Sequence, residues 1–250
     1  MGGGRFDSVR HCASPLACAN GAVDHDPALE RPAVSALRFD ARGGSPSRAG
    51  DAHARHLQAA RGVSVTPFWI NHLRPPGVPS LPWLSHFAEI NVRTYVTRDG
   101  KPGVYFFSLD ASNLSAVWGA RVFYRLPYWQ AAMKLKGRGG PRIEYVSKRQ
   151  HGPKPAELRC SYGPSSQMLH ARPGSLEHFL TERYCLYAYN RKRLYRGEIH
   201  HLPWELQEAT VDVTENSMAK SAGIDLPLQP DIAYFTRELK VLFWAPERLL

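Results

Sequence analysis

The 250-residue chain carries 32 Lys and Arg against 22 Asp and Glu, a formal net charge of +10, with 43% hydrophobic and 11% aromatic residues. These values fit a globular chain long enough for one large domain or two small ones, and the absence of any apolar run of about 18 residues excludes a membrane-spanning helix. The positive charge is scattered rather than blocked, so a basic soluble protein is the simplest reading and a nucleic-acid partner is disfavoured.

Residues 1–62 are rich in Ala, Gly, Arg, His, Ser and Pro, and only Phe6 and Phe39 represent the aromatics before Val63. No sustained period of 3.6 or 2 is visible, apart from a thin helical face around Asp51–Ala60. Such a segment buries too little apolar surface to offset its ordering entropy. The expectation is a disordered or spurious segment, with a folded domain over 63–250.

From Val63 the texture changes. Val63–Ile70 alternates and is β-branched, which predicts a strand, and Leu73–Leu84 is a proline-rich irregular loop. Phe87–Thr97 is the clearest strand; Asp99-Gly100-Lys101-Pro102-Gly103 reads as a hairpin turn, and Val104–Leu109 as the return strand. Asp110 is placed as the N-cap of a helix over Ser112–Phe123, with Leu114, Val117, Trp118, Val122 and Phe123 on its apolar side. Arg142–Lys148 and Glu157–Tyr162 are strands, and Ser175–Arg183 is a short helix capped by Ser175. Tyr184–Tyr189 and Arg193–His201 pair around Asn190-Arg191-Lys192; Leu206–Asn216 is a further strand followed by a helix, and Val241–Phe243 ends the sheet. Many strands with few short helices define an α+β, mostly antiparallel architecture.

Four strings carry a family resemblance: Phe87–Val96 (FAEINVRTYV), Gly103–Asp110 (GVYFFSLD), Phe179–Tyr184 (FLTERY) and His200–Leu206 (HHLPWEL). In this order and spacing they resemble the YqjF-like family of uncharacterised bacterial proteins, a domain of unknown function grouped on fold with acetoacetate decarboxylase. The resemblance covers roughly Val63 to Leu250 and implies a cone-like, mostly antiparallel β-barrel with flanking short helices and an internal pocket. Family members begin with an aromatic-rich strand and helix that this chain lacks. Residues 1–62 stand in their place, so a wrong start or a frame shift is expected before about Gly62, or else a genuine loss, and the domain is expected to miss its first strand.

Acetoacetate decarboxylases use a lysine pair after a Tyr-x-x-Pro-like turn, one amine forming a Schiff base with its pKa depressed by desolvation and a neighbouring cation. The matching stretch here is Phe123–Trp129, where Tyr128 and Trp129 occupy the lysine positions and neither forms an iminium. Lys134 and Lys136 read as solvated. Decarboxylation by that route is therefore not expected, and no other enzyme activity is fixed by the sequence.

On a strand, Glu89, Asn91, Arg93 and Tyr95 share one face. That face is either the solvated side of an antiparallel sheet or a polar barrel interior; in the second case Glu89 and Arg93 pair, and Arg93 can hold a carboxylate bidentately. Glu89, Arg93, Tyr105 and Tyr128 are the expected ligand-binding residues, and Glu89 and His200 the candidate catalytic ones. His200 and His201 point to opposite sides of a strand and cannot chelate one ion together. Glu182 and Arg183 read as a structural pair or a lid contact. Four cysteines without a CxxC pair give neither a disulfide framework nor a zinc site. They read as reduced thiols in a cytoplasmic protein, with no metal and no cofactor expected.

Three readings follow. The first is a binder of a small carbonyl- or carboxylate-bearing molecule without Schiff-base chemistry. The second is a lyase- or hydratase-type enzyme using Glu89 as acid and base, marked by a raised Glu89 pKa. The third is a basic nucleic-acid-binding protein, built on Arg191, Lys192, Arg193 and Arg196 among tyrosines. The partner expected is a small molecule rather than a membrane, and an oligomer is compatible with the sequence.

Overall fold

The computed structural model describes residues 34–39, 57–73, 85–152 and 154–249. Its strands are β1 (Val34–Phe39), β2 (Gln58–Ile70), β3 (Phe87–Arg98), β4 (Lys101–Ala111), β5 (Tyr128–Lys136), β6 (Ile143–Arg149) and β7 (Glu157–Pro164). They continue with β8 (Leu169–His170), β9 (Cys185–Asn190), β10 (Arg193–His201), β11 (Glu205–Asn216), β12 (Ile232–Thr236), β13 (Val241–Phe243) and β14 (Glu247–Arg248). Among the described residues two short α-helices, Leu114–Gly119 and Leu176–Thr181, and a 3-10 helix over Met218–Ala222, which follows β11, complete the α+β pattern.

Hydrogen-bonded neighbours run β4-β3-β2-β1-β12-β11-β7-β6-β5, and a three-residue parallel contact, Leu109↔Tyr128 to Ala111↔Gln130, returns β5 to β4. Strands β9, β10 and β13 extend the sheet beyond β4. Nearly all other pairings are antiparallel, so the sheet is of the mostly antiparallel barrel type. Within 1–62, β1 pairs with both β2 and β12, and β2 starts at Gln58 in the segment weighed as a thin helix. Cys12 and Cys18, most of the Leu73–Leu84 loop and the remainder of 1–62 lie outside the described residues.

Strand β3 is buried from Phe87 to Val96, on both faces. Ala88, Ile90 and Val92 enter one core with Val63, Val65, Tyr145, Leu158, Tyr162 and Phe235. Tyr95 enters a second core with Leu109, Leu180, Trp204, Leu206 and Tyr234. The alternation therefore marks two cores, a polar-lined one and an apolar one, rather than a wet side and a dry side.

Two local expectations are corrected. Asp110 caps no helix: it lies buried in β4 and receives Arg149 Nη2 at 2.6 Å and Nε at 2.8 Å. The cap is Asn113, whose Oδ1 accepts from Ala116 N at 3.1 Å. The helix itself ends at Gly119 and continues as a π-type turn over Ala120–Tyr124. Of its apolar residues Val117 is buried, whereas Leu114, Trp118, Val122 and Phe123 are exposed, and Arg125 at φ 59 ends the turn. Ser175 does cap its helix, accepting from His178 N at 3.2 Å.

Candidate functional site

The register between β2 and β3 sets Phe68 against Glu89, Thr66 against Asn91 and Ser64 against Arg93. Directly opposed residues share a face of a sheet. Across β3 and β4, Asn91 stands against Leu109, but the register shifts between Val92 and Arg93, so that Arg93 stands against Phe106 and Tyr95 against Val104. Phe107 is the extra residue of this bulge. It inverts the phase of β4, sending Phe106 and Val104 to the Glu89 face and Tyr105 to the other. Tyr105 accordingly packs in a third cluster with Leu57, Val96 and Tyr187, and is removed from the expected ligand-binding set.

Glu89 is 2% exposed. Its Oε1 accepts from Tyr128 OH at 3.0 Å, an encounter made by the parallel β4–β5 contact that brings Tyr128 opposite Leu109. Its Oε2 is buried with no hydrogen-bond partner among the described residues. Burial drives the Glu89 pKa up to about 8, with the Tyr128 hydrogen bond opposing and the Asp110 charge adding to the rise. At neutral pH the side chain is mainly a carboxylic acid. Tyr128 is itself pushed well above the usual phenol range, first by burial and then by Glu89, so it remains a donor. Tyr145 OH donates to the Glu89 carbonyl at 2.9 Å from the opposite core and fixes the strand from behind.

Arg93 lies further along the same face. It does not pair with Glu89; its Nη2 reaches the Leu180 carbonyl at 3.5 Å, and its guanidinium carbon lies 5.8 Å from the Tyr95 ring centre and 5.9 Å from that of Trp204. Two residues that share a face four positions apart are separated by about 13 Å between Cα atoms, and the Arg93 head leans toward Tyr95, away from Glu89. The expected Glu89–Arg93 pair is therefore corrected. Thr66 Oγ1, Asn91 Oδ1, Arg93 Nε and Trp204 Nε1 are buried without hydrogen-bond partners among the described residues. Polar atoms in this state are rare in folded proteins, and here several lie together on one face.

The other expected residues lie apart. His200 is exposed on β10, beside Tyr184 at 6.3 Å between ring centres. His201 is buried, with ring nitrogens 2.9 Å from the Leu202 carbonyl and 3.3 Å from that of Arg183. Glu182 and Arg183 form no ion pair: Glu182 is contacted by Tyr184 and Thr181, while Arg183 stacks on Phe179 at 4.3 Å. Lys134 and Lys136 line a groove of about 430 Å³ on β5–β7 with Lys148, Arg159 and Glu144, away from the Glu89 face. Every lysine of the chain is exposed except Lys101, which is half-buried and held by Glu198 at 2.6 Å. Among the described residues no group of three His, Cys, Asp or Glu is placed to hold a metal, and no helix is long and apolar enough to cross a membrane. Cys160 and Cys185 are free, buried thiols.

Sequence reasoning missed Thr66 and Trp204 as neighbours of this face, and offered Arg183 only as half of a structural pair or as a lid contact. The register would have found Thr66; only the fold brings the other two across.

A mostly antiparallel, barrel-type sheet with few short helices defines the fold class, and solved structures agree on it. The enduracididine biosynthesis enzyme MppR, solved with the condensation product of pyruvate and imidazole 4-carboxaldehyde, aligns with a TM-score of 0.61 at 9% identity, over 87% of each chain. Acetoacetate decarboxylase from Legionella pneumophila aligns with a TM-score of 0.54 at 11% identity, over 88% of this chain and 85% of the other. An acetoacetate decarboxylase-like enzyme from Sphingomonas wittichii RW1 gives 0.53 at 12% identity, over 87% and 91%. The chain thus has the acetoacetate decarboxylase-like fold. It belongs to the DUF2071 family, described as an uncharacterized conserved protein, whose profile matches residues 56–240. It is 44% identical over 182 residues to the uncharacterized protein YqjF of Bacillus subtilis (strain 168), covering 73% of this chain and 74% of that one.

Proposed function

We propose that the Glu89–Arg93 face binds a small carbonyl-bearing carboxylic acid without covalent Schiff-base chemistry, as a cytoplasmic activity. The observation that carries this reading is the convergence of unpartnered buried polar atoms on one face: Glu89 Oε2, Asn91 Oδ1, Thr66 Oγ1 and Arg93 Nε. Protonated Glu89 supplies a donor for a carbonyl oxygen, and Arg93 supplies a cation for a carboxylate. The exposure of the lysines, with Tyr128 and Trp129 at the lysine-pair positions, supports the absence of an iminium route.

A second reading, a lyase- or hydratase-type enzyme, is favoured by the Glu89 pKa of about 8. A carboxyl group titrating near neutrality serves both as general acid toward a carbonyl oxygen and, once ionised, as base toward the adjacent C–H. Tyr128, as the fixed donor to Glu89 Oε1, stabilises the carboxylate formed when Glu89 gives up its proton. Nucleic acid is less well supported: Arg191, Lys192 and Arg193 sit exposed at a hairpin tip, and Arg196 is engaged by Glu198 and Glu247.

The test is thermal stabilisation by 5-oxohexanoate and by 7-oxooctanoate, keto acids long enough to extend from Glu89 toward Arg93, with deuterium exchange beside the ketone followed by NMR. Ligand stabilisation that disappears in Arg93→Ala, with exchange lost in Glu89→Gln, is the expected result. Borohydride treatment in the presence of either acid should leave the protein mass unchanged. A trapped adduct, or ligand binding unaffected by Arg93→Ala, would overturn the reading.

A further inference from the structure

Arg93 is not the only guanidinium on this part of the molecule. Arg183, which follows the helix Leu176–Thr181, places its guanidinium carbon 5.8 Å from the centre of the same Tyr95 ring that Arg93 approaches, and 4.3 Å from that of Phe179. Among the described residues neither arginine has an acidic partner, and the Nε of each is buried with no hydrogen bond. Burial lowers the Arg183 pKa; the Tyr95 phenol opposes this, and the nearby Arg93 charge lowers it further. A buried and a half-buried cation around one aromatic ring repel each other and leave fork donors unused, a combination that a bound anion relieves. The buried guanidinium of Arg149 shows the contrast, since Asp110 receives it through both carboxylate oxygens.

We propose that Arg93 and Arg183 form an anion subsite at the Tyr95 end of the face, and that the ligand is an elongated oxo acid whose carboxylate lies remote from the carbonyl group presented to Glu89. This rests on the reading of Glu89 as the carbonyl-binding acid. The spacing argument is geometric. Glu89 and Arg93 are about 13 Å apart along the strand, and the Arg93 head is turned onward toward Tyr95 and the Leu180 carbonyl. An acid whose carboxylate adjoins its carbonyl reaches one end only. A ligand engaging both ends needs several methylene groups between them, and these would lie against the apolar side chains that share the face, Phe68, Leu109 and Phe106.

The experiment is titration calorimetry of the full chain with a series of methyl-ketone acids: acetoacetate, 4-oxopentanoate, 5-oxohexanoate, 6-oxoheptanoate and 7-oxooctanoate. Affinity should rise along the series, by roughly tenfold or more between its ends. Arg183→Gln should bring the long acids down to the level of acetoacetate while acetoacetate itself changes little, and the methyl ester of 7-oxooctanoate should lose the advantage of its parent acid. If Arg183→Gln fails to fold, Arg183→Lys carries the same test, because it keeps the charge and the stem but not the planar fork. A flat series, an optimum at acetoacetate, or an equal loss at every chain length in the Arg183 variant would overturn the subsite. If short ketones still exchange deuterium through Glu89 while chain length has no effect, the subsite alone falls. If no ketone acid binds at any length, both readings fall.

Discussion

Two buried carboxyl groups stand on neighbouring strands of this sheet and have opposite fates. Asp110, on the side of β4 that faces the apolar core, receives two hydrogen bonds from Arg149, and both side chains are almost wholly excluded from solvent, at 0% and 1% exposure. Glu89, on the polar-lined side of β3, has one phenol and no cation. Burial raises both pKa values, but at Asp110 the Arg149 hydrogen bonds and charge oppose the rise, while at Glu89 only Tyr128 does. A buried acid completed by the protein is architecture; the one left half-completed is where the functional role is proposed.

Breaking the completed pair should have the largest effect. Arg149→Ala leaves Asp110 buried without its cation and should destabilise the fold by about 3–5 kcal/mol, read from chemical denaturation; this variant also loses the guanidinium 5.6 Å from the Trp129 ring. Glu89→Gln should behave in the opposite sense. Because the folded pKa of about 8 lies above the ordinary 4.5, the contribution of Glu89 is fully present below about pH 4.5 and is lost as pH rises, levelling off beyond about pH 8. The decline amounts to ~1.4 kcal/mol per pH unit across that window. Denaturation midpoints of wild type and Glu89→Gln should therefore converge near pH 4 and separate at pH 8, with the variant more stable. Parallel curves would show that Glu89 is solvated.

Smaller effects sharpen the contrast. Tyr128→Phe removes the one hydrogen bond that favours ionised Glu89, so the wild-type decline should extend to higher pH, with a stability change on the order of 1 kcal/mol. Carbonyl-stretch infrared titration would follow that shift directly. Asn113→Ala removes the bond that caps the helix and should cost about 1 kcal/mol at every pH, a control for general destabilisation.

The strands were readable from the sequence because β-branched alternation and Gly-containing turns are local signals. β3, the Asp99-Gly100 turn and the Ser175 cap required nothing beyond their own residues. The site was readable only in part. Glu89, Asn91, Arg93 and Tyr95 share a face by strand period alone, but whether that face was wet or buried depended on what covers it. Tyr105 was misplaced because one unpaired residue, Phe107, inverts β4, and no local pattern in GVYFFSL announces a bulge. Asp110 suited a cap by type, yet its partner Arg149 lies 39 positions away. Arg183 and Trp204 reach the site through tertiary packing alone.

The two hairpin tips carry a last consequence. Between β3 and β4 the turn residues are Asp99 and Gly100, with φ 50° and 76°, while between β9 and β10 they are Arg191 and Lys192, with φ 48° and 62°. Neither residue at the second tip is a glycine, and side-chain-bearing residues in this conformation cost ~1 kcal/mol each. That tip is the weaker fastening, so amide hydrogens there should exchange with solvent deuterium sooner than those beside Asp99. The β9–β10 ribbon would then unzip from its outer end inward, and Cys185, beside Arg183 at the opposite end, would be among the last of its amides to open.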